Sequence, residues 1–268
     1  MNNTRSFIFL IAVFVLYHTN NFSQSPYSLD PGREAAILGG GILLGIVDLN
    51  LIENTKPIRI EELAALSRAN VNSFDRGATY NWSPKAADWS DFLLITSIAS
   101  PMLAFTSTSV KNDAGTYLIM YLQNIITTYS VSHLIKAMFR RYRPYSYNTE
   151  VADEIRTRPG STLSFFSAHT SVSFASAVFL STTFNKYNPD SNLTPYIWSS
   201  SLLLASAVGY LRYTAGQHFP TDIIVGAIVG SAIGYLIPLI HEINEDEKGL
   251  VVPAGNLYNN LISVNLTF

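Results

Sequence analysis

Residues 223–240 carry no charged side chain, and within them Gly226, Gly230 and Gly234 recur at every fourth position. This pattern constrains the fold more than any other feature of the chain. An apolar run of this length is too long for a strand and reads as a helix. Residues four apart share one helical face, so the glycines form a stripe without side chains, along which another helix can approach closely. The run is also the most membrane-like of the sequence.

Further apolar segments lie near 35–50, 91–110, 116–139, 170–184 and 196–212. Most lack period-2 alternation and read as helices as well. The expected fold class is all-α: a bundle of about five to six apolar helices, membrane-embedded. Segment 116–139 is unusual for a lipid-facing helix, because it carries Gln123, Asn124, Thr127, Thr128, Ser130, Ser132 and His133. Such groups need partners, so much of this helix should face protein. Segment 35–50 holds Gly39, Gly40, Gly41, Gly45 and Asp48, and an acid there argues against a simple span.

Composition supports this reading and excludes others. Charged residues make up 13% of the chain, about half the usual share of a soluble domain. Mean hydropathy is only +0.19; polar loops dilute the apolar segments, or the helices face lipid only in part. A net charge of −2 gives no bulk attraction to nucleic acid. With no cysteine, disulfides, cysteine-ligated zinc and thiol catalysis are all excluded.

At the N-terminus, Arg5 precedes an apolar run from Phe7 to Tyr17 and a polar patch from His18 to Ser25. The run has the length of a signal-peptide core and is short of a span. The predicted organisation is a cleaved leader at 1–24, an N-terminal segment at 25–90, a core at 91–241 and a tail at 242–268. The tail is acidic at first, then reads as a β-hairpin pairing Leu250–Val252 with Leu261–Phe268. Asn81-Trp82-Ser83-Pro84 reads as a turn.

Three short motifs carry the chemistry. Lys136 and Arg143 are seven apart, nearly two helical turns, so one face can present both cations; Pro144 should end the helix near Arg143. Ser167-Ala168-His169 directly precedes a helix beginning near Thr170, and helix N-termini offer unpaired N–H groups and a positive dipole end to an anion. Ser167 could equally cap that helix. Arg212 ends one apolar segment, and His218 and Asp222 open the next. The four-residue step lets Asp222 accept from one ring nitrogen of His218, leaving the other an unprotonated nucleophile of defined tautomer. Cations, two histidines and an anion-ready helix end are what phosphoryl transfer requires. No metal-ligand set is evident, and no cofactor is expected.

The order K-x6-R-P, S-x-H, R-x5-H-x3-D over roughly residues 90–240 resembles the type 2 phosphatidic acid phosphatase (PAP2) superfamily, which also contains class A acid phosphatases and vanadium haloperoxidases. The second motif departs from the family's Pro-Ser-Gly-His, with Phe166 and Ala168 in place of Pro and Gly. The third begins with Leu211 rather than Ser. The resemblance implies that His218 attacks phosphorus, Asp222 orients it, and His169 protonates the leaving alkoxide. Lys136, Arg143, Arg212, Ser167 and the backbone of Ala168 would hold the phosphate oxygens. The implied substrate is a lipid phosphate or diphosphate, or a small phosphate ester; the implied partner is the membrane of a bacterial envelope. Two other readings of the same residues are a vanadium haloperoxidase, with His218 ligating vanadate, and a non-catalytic phosphate-binding envelope protein. Family members with membrane helices place the site on the outer, periplasmic side. After a cleaved leader, that requires segment 35–50 not to cross.

Overall fold

The computed structural model describes residues 25–53 and 57–243. The expected leader at 1–24 and hairpin at 250–268 lie outside them, as does the side chain of Asp48. Among the described residues the fold is all-α, and the only β-type pairing is an isolated antiparallel bridge between Tyr27 and Glu242. Six long helices form the bundle: α1 (Pro31–Glu53), α2 (Pro84–Ala99), α3 (Ala114–Phe139), α4 (Ala168–Tyr187), α5 (Thr194–Thr214) and α6 (Pro220–His241).

The helix starts follow local chemistry. At α2, Ser83 Oγ accepts from the Ala86 N–H at 3.2 Å and Pro84 takes the first helical position, so the expected turn at 81–84 is the entry to this helix. Segment 91–110 is not one continuous α-helix. It tightens after Ala99 into a 3-10 stretch, Ser100–Thr106, where Pro101 removes a backbone donor. Helix α3 ends at Phe139, earlier than the expected stop near Arg143. Arg140 adopts a left-handed conformation with φ 39° and donates its N–H to the Lys136 carbonyl at 3.1 Å. Lys136 and Arg143 therefore do not share a helix face.

Helix α4 is the hub, packed by α6, α5, α3 and α2. Its apolar content is modest because it faces protein almost all round; Ser171, Ser173, Ser176, Ser181 and Thr183 are buried. Hydroxyls can be buried here because several bond back to the helix, as Ser181 does to the Ala177 carbonyl at 2.8 Å and Thr183 to that of Phe179 at 2.6 Å. The glycine stripe of α6 lies against α4. A Cβ on Gly226, Gly230 or Gly234 would come within 2.8, 2.0 or 2.5 Å of the carbonyl oxygens of Ser167, Ser171 and Ala175. The polar side of α3 is also internal, with Gln123, Asn124, Thr128, Ser130 and Ser132 buried.

Helix α1 runs parallel to α3. Gln123 donates to Glu34 near its start, and further along Ser130 Oγ donates to the Gly41 carbonyl at 2.8 Å. Segment 35–50 thus lies against protein on one side, while Ile42, Leu43, Ile46 and Val47 remain exposed. Its N-terminal end meets the C-terminal end of α6, where Ser28 N–H donates to the His241 carbonyl at 2.8 Å and His241 Nε2 lies 2.8 Å from Glu34. Residues 25–30 and 241–243 therefore share one end of the bundle. The opposite end receives the C-terminal ends of α1, α3 and α5 and the N-terminal ends of α2, α4 and α6. Helix α1 runs the length of α3, so residue 25 and the motif end lie at opposite ends of the bundle.

The perimeter is apolar, with Ile95, Leu103, Leu203, Ile228, Tyr235 and Leu236 among its exposed side chains. Residues 84–106 and 220–241 are long and apolar enough to cross a membrane.

The seam makes a prediction with an unusual sign. Gly to Ala within a helix ordinarily stabilises by about 1 kcal/mol. Gly230→Ala should instead destabilise by about 1–3 kcal/mol through overpacking. Gly39→Ala, with nothing within 4 Å of its added Cβ, should be neutral or stabilising. Thermal unfolding of both variants in detergent decides; a raised Tm for Gly230→Ala contradicts the seam.

Candidate active site

The three motifs meet at one end of the bundle. His218 sits in the turn between α5 and α6, 1% exposed, with its N–H directed to the Arg212 carbonyl at 3.3 Å. Its Nδ1 lies 3.6 Å from Asp222 Oδ2, slightly beyond hydrogen-bond distance, and has no hydrogen-bond partner among the described residues. Burial, reinforced by Lys136, Arg143, Arg212 and His169, holds the His218 pKa well below the ordinary histidine value. At neutral pH the ring is uncharged, as a nucleophile must be.

Arg143 and Arg212 arrive from different elements and converge on Gln217. Its side-chain oxygen accepts from Arg143 Nη1 at 2.6 Å and from Arg212 Nη2 at 3.4 Å. One neutral acceptor thus holds two like charges beside His218. Arg143 is further fixed by Nε donating to the Gly160 carbonyl at 2.9 Å. Arg212 Nη1 donates to Ser90 Oγ at 3.2 Å and lies 3.4 Å from Asp91, whereas its buried Nε has no partner among the described residues.

Lys136 plays a different local part. Its ammonium donates to the carbonyls of Leu163 and Phe166 at 3.1 and 2.5 Å, and more weakly to that of Ser164 at 3.4 Å. It gathers the loop before α4, while its charge still acts on His218. Ser167 Oγ is the N-cap of α4: it accepts from the Thr170 N–H at 3.3 Å and the Thr170 hydroxyl at 2.9 Å. The Ser167 N–H donates to the Asp222 carbonyl at 3.1 Å, which ties the second motif to the third. Ala168 is the first residue of the helix, in its N-terminal turn.

His169 stands in that same turn, its Nε2 2.8 Å from Asp91 Oδ1 on α2. His133 lies one turn before Lys136 and stacks on Tyr129 with ring centroids 4.0 Å apart.

Several contributors are not evident in the sequence pattern. Asp222 accepts from Arg141 Nη1 at 2.6 Å, from Ser164 Oγ at 2.6 Å and from the Phe219 N–H at 2.9 Å. Arg141 also donates to Asp75 at 2.7 Å and lies over the Phe219 ring at 4.0 Å. Asp75, fully buried, accepts from Asn72, from the Thr221 hydroxyl at 2.7 Å and from the Thr221 N–H at 3.0 Å. These bonds hold the Asp75 carboxyl below its ordinary pKa against the upward pull of burial. The network clamps the start of α6 to the polar loop at 57–83. Gln217 stood within the third motif without a distinguishing signal, and Arg141 is one of several arginines in its loop. Asp75 is separated from Arg141 and Thr221 by more than sixty residues.

Among the described residues, no cluster of three or more histidines and carboxylates has a metal-holding arrangement. The chemistry available to the site is anion binding by arginines and a helix N-terminus, with two histidines of different environment.

The three motifs thus meet at one end of an all-α bundle. Residues 117–246 match the PAP2 superfamily model. It is 30% identical over 148 residues to a lipid A 4'-phosphatase of Porphyromonas gingivalis, a match covering 54% of this chain and 58% of that protein. The match thus spans little more than half of the relative's length. No solved structure is significantly similar.

Asp75→Ala would leave Arg141 with Asp222, the Thr221 hydroxyl and the Phe219 ring, and would remove the cap on Thr221. The expected cost is about 2 kcal/mol, moderated because Arg141 keeps some contact with solvent. Chemical denaturation in micelles measures it; an unchanged midpoint would mean the network does not hold the α6 start.

Proposed function

We propose that this protein is a phosphatase that hydrolyses a lipid-borne phosphate monoester or diphosphate through a phosphohistidine on His218. The observation that carries this reading is the meeting of a buried neutral histidine with two arginines that share Gln217. A phosphate entering there meets guanidinium donors that offset its repulsion towards the attacking ring. His218 attacks phosphorus, Asp222 holds the ring in place, and His169 supplies the proton to the leaving oxygen. Arg143 and Arg212 bind phosphate oxygens, with Ser167 and the Ala168 N–H at the α4 start as further donors. Lys136 adds charge and fixes the loop. None of these steps calls for a metal ion.

A lipid substrate accords with the apolar perimeter and with the two helices of spanning length. The relative from P. gingivalis is named for lipid A, whose phosphate is itself lipid-borne. A membrane-embedded bundle with its site on the outer side would place Tyr27 and Glu242 at the inner face. The chain has no native cysteine, so Lys85→Cys at the site end and Asn192→Cys at the other give clean labels. An impermeant maleimide on intact cells should label position 85 and spare 192; the reverse pattern refutes the outward orientation.

For the chemistry, His218→Ala should abolish phosphate release, a loss of about 10³-fold or more. His169→Ala should slow alkyl phosphates far more than aryl phosphates, whose leaving groups need little protonation. Phosphate assays with both substrate types measure this. Near-normal turnover by His218→Ala, or equal losses by His169→Ala on both substrates, contradicts the assignment.

A further inference from the structure

Asp91 lies outside the matched domain and outside all three motifs, yet it touches two of their residues. It sits in the second turn of α2, 61% exposed, with Oδ1 2.8 Å from His169 Nε2 and 3.4 Å from Arg212 Nη1. Its neighbour Ser90, fully buried, accepts from the same Arg212 nitrogen at 3.2 Å. Helix α2 thus supplies a Ser90-Asp91 edge to the site.

We infer that Asp91 is a positioning residue for His169: its carboxylate fixes a proton on Nε2 and keeps the imidazolium available as the acid of the reaction. The charged and titratable groups facing His169 from its neighbours are Asp91 on α2, Arg212 on α5, Arg143 from the loop after α3 and His218 from the turn before α6. Burial first, then Arg212 and Arg143, bring the His169 pKa down to about 4, and Asp91 is the one group among them that opposes this fall. A histidine surrounded only by cations would be a poor proton donor at neutral pH. A carboxylate at hydrogen-bond distance offsets part of that penalty and selects which nitrogen carries the proton.

The catalytic consequence rests on the phosphatase reading. As the bond from His218 to phosphorus forms, the bond from phosphorus to the leaving oxygen breaks with its electron pair on that oxygen. The other proton of the His169 imidazolium, on Nδ1, passes to the same oxygen while Nε2 keeps the proton it shares with Asp91. When the oxygen of water bonds to phosphorus, the phosphorus–nitrogen bond breaks with its pair returning to His218, and neutral His169 takes a proton from the water and is restored. Asp91 touches no reacting atom.

Asp91→Asn keeps the shape of an exposed side chain and removes its charge, so the fold should survive. The full chain with 13C-labelled histidines, in detergent micelles, can be titrated by NMR, with His169→Asn assigning the ring. The His169 midpoint should fall by about one unit in Asp91→Asn, and Asp91→Glu should retain most of the wild-type value. An unchanged or raised midpoint in Asp91→Asn overturns the inference. In assays, the alkaline limb of octyl phosphate hydrolysis should move down by the same amount, a loss of about tenfold above it. Hydrolysis of p-nitrophenyl phosphate should barely respond. Equal losses on both substrates would make Asp91 merely structural. Wild-type protein releasing no phosphate from either substrate would sink the phosphatase reading, while the NMR titration would still decide the role of Asp91.

Discussion

The close contact between α4 and α6 is the constraint on which the rest of the structure depends. Three glycines on α6 meet the backbone of α4 at Ser167, Ser171 and Ala175, at distances that leave no room for a Cβ. The first of these contacts is at the site itself. Gly226 opposes the Ser167 carbonyl, and the Ser167 N–H reaches the Asp222 carbonyl. The seam therefore sets the distance between the second and third motifs, and with it the separation of His169 from His218. Packing along some twenty residues becomes precision at one end, since a helix displaced by a side chain at Gly230 would carry Asp222 away from Ser167.

Around this seam the protein concentrates positive charge without being a basic protein. The net charge is −2, yet Lys136, Arg143 and Arg212 all act on one buried histidine. Buried cations are costly unless their donors are satisfied. Here neutral acceptors carry much of that burden: three loop carbonyls for Lys136, Gly160 and Gln217 for Arg143, and Ser90 and Gln217 for Arg212. Carbonyl and amide oxygens satisfy donors without cancelling charge, so the field at His218 survives. Of the carboxylates, Asp75 and Asp222 are occupied with Arg141, and the partly exposed Asp91 stands between His169 and Arg212.

Much of this arrangement was legible in the sequence, because it depends on local patterns. The glycine period gave the seam, and the polar residues of α3 gave its inward face. The three motifs gave the residues that the fold gathers at one end. The failures share a physical cause, which is that backbone turns and long-range pairings leave no periodic trace. Arg140 takes a left-handed turn where the pattern implied more helix, so Arg143 reaches the site from a loop. Ser100–Thr106 tightens where the apolar run alone implied a continuous α-helix. Asp75 pairs with Arg141 across a separation that no window of sequence spans, and Asp91 was hidden at the head of an apolar segment. Whether 35–50 runs the full length of the bundle likewise depends on its packing against α3, which no local pattern records.

The central claim is that His218 carries the phosphoryl group between the two halves of the reaction. Rapid acid-free quenching of the full-length protein with a 32P-labelled substrate tests it directly. The account predicts an acid-labile, base-stable label that mapping by mass spectrometry places on His218 and that disappears in His218→Ala. Phosphate release at a normal rate with no label at His218 under conditions that would trap one, or label on another residue, would contradict it.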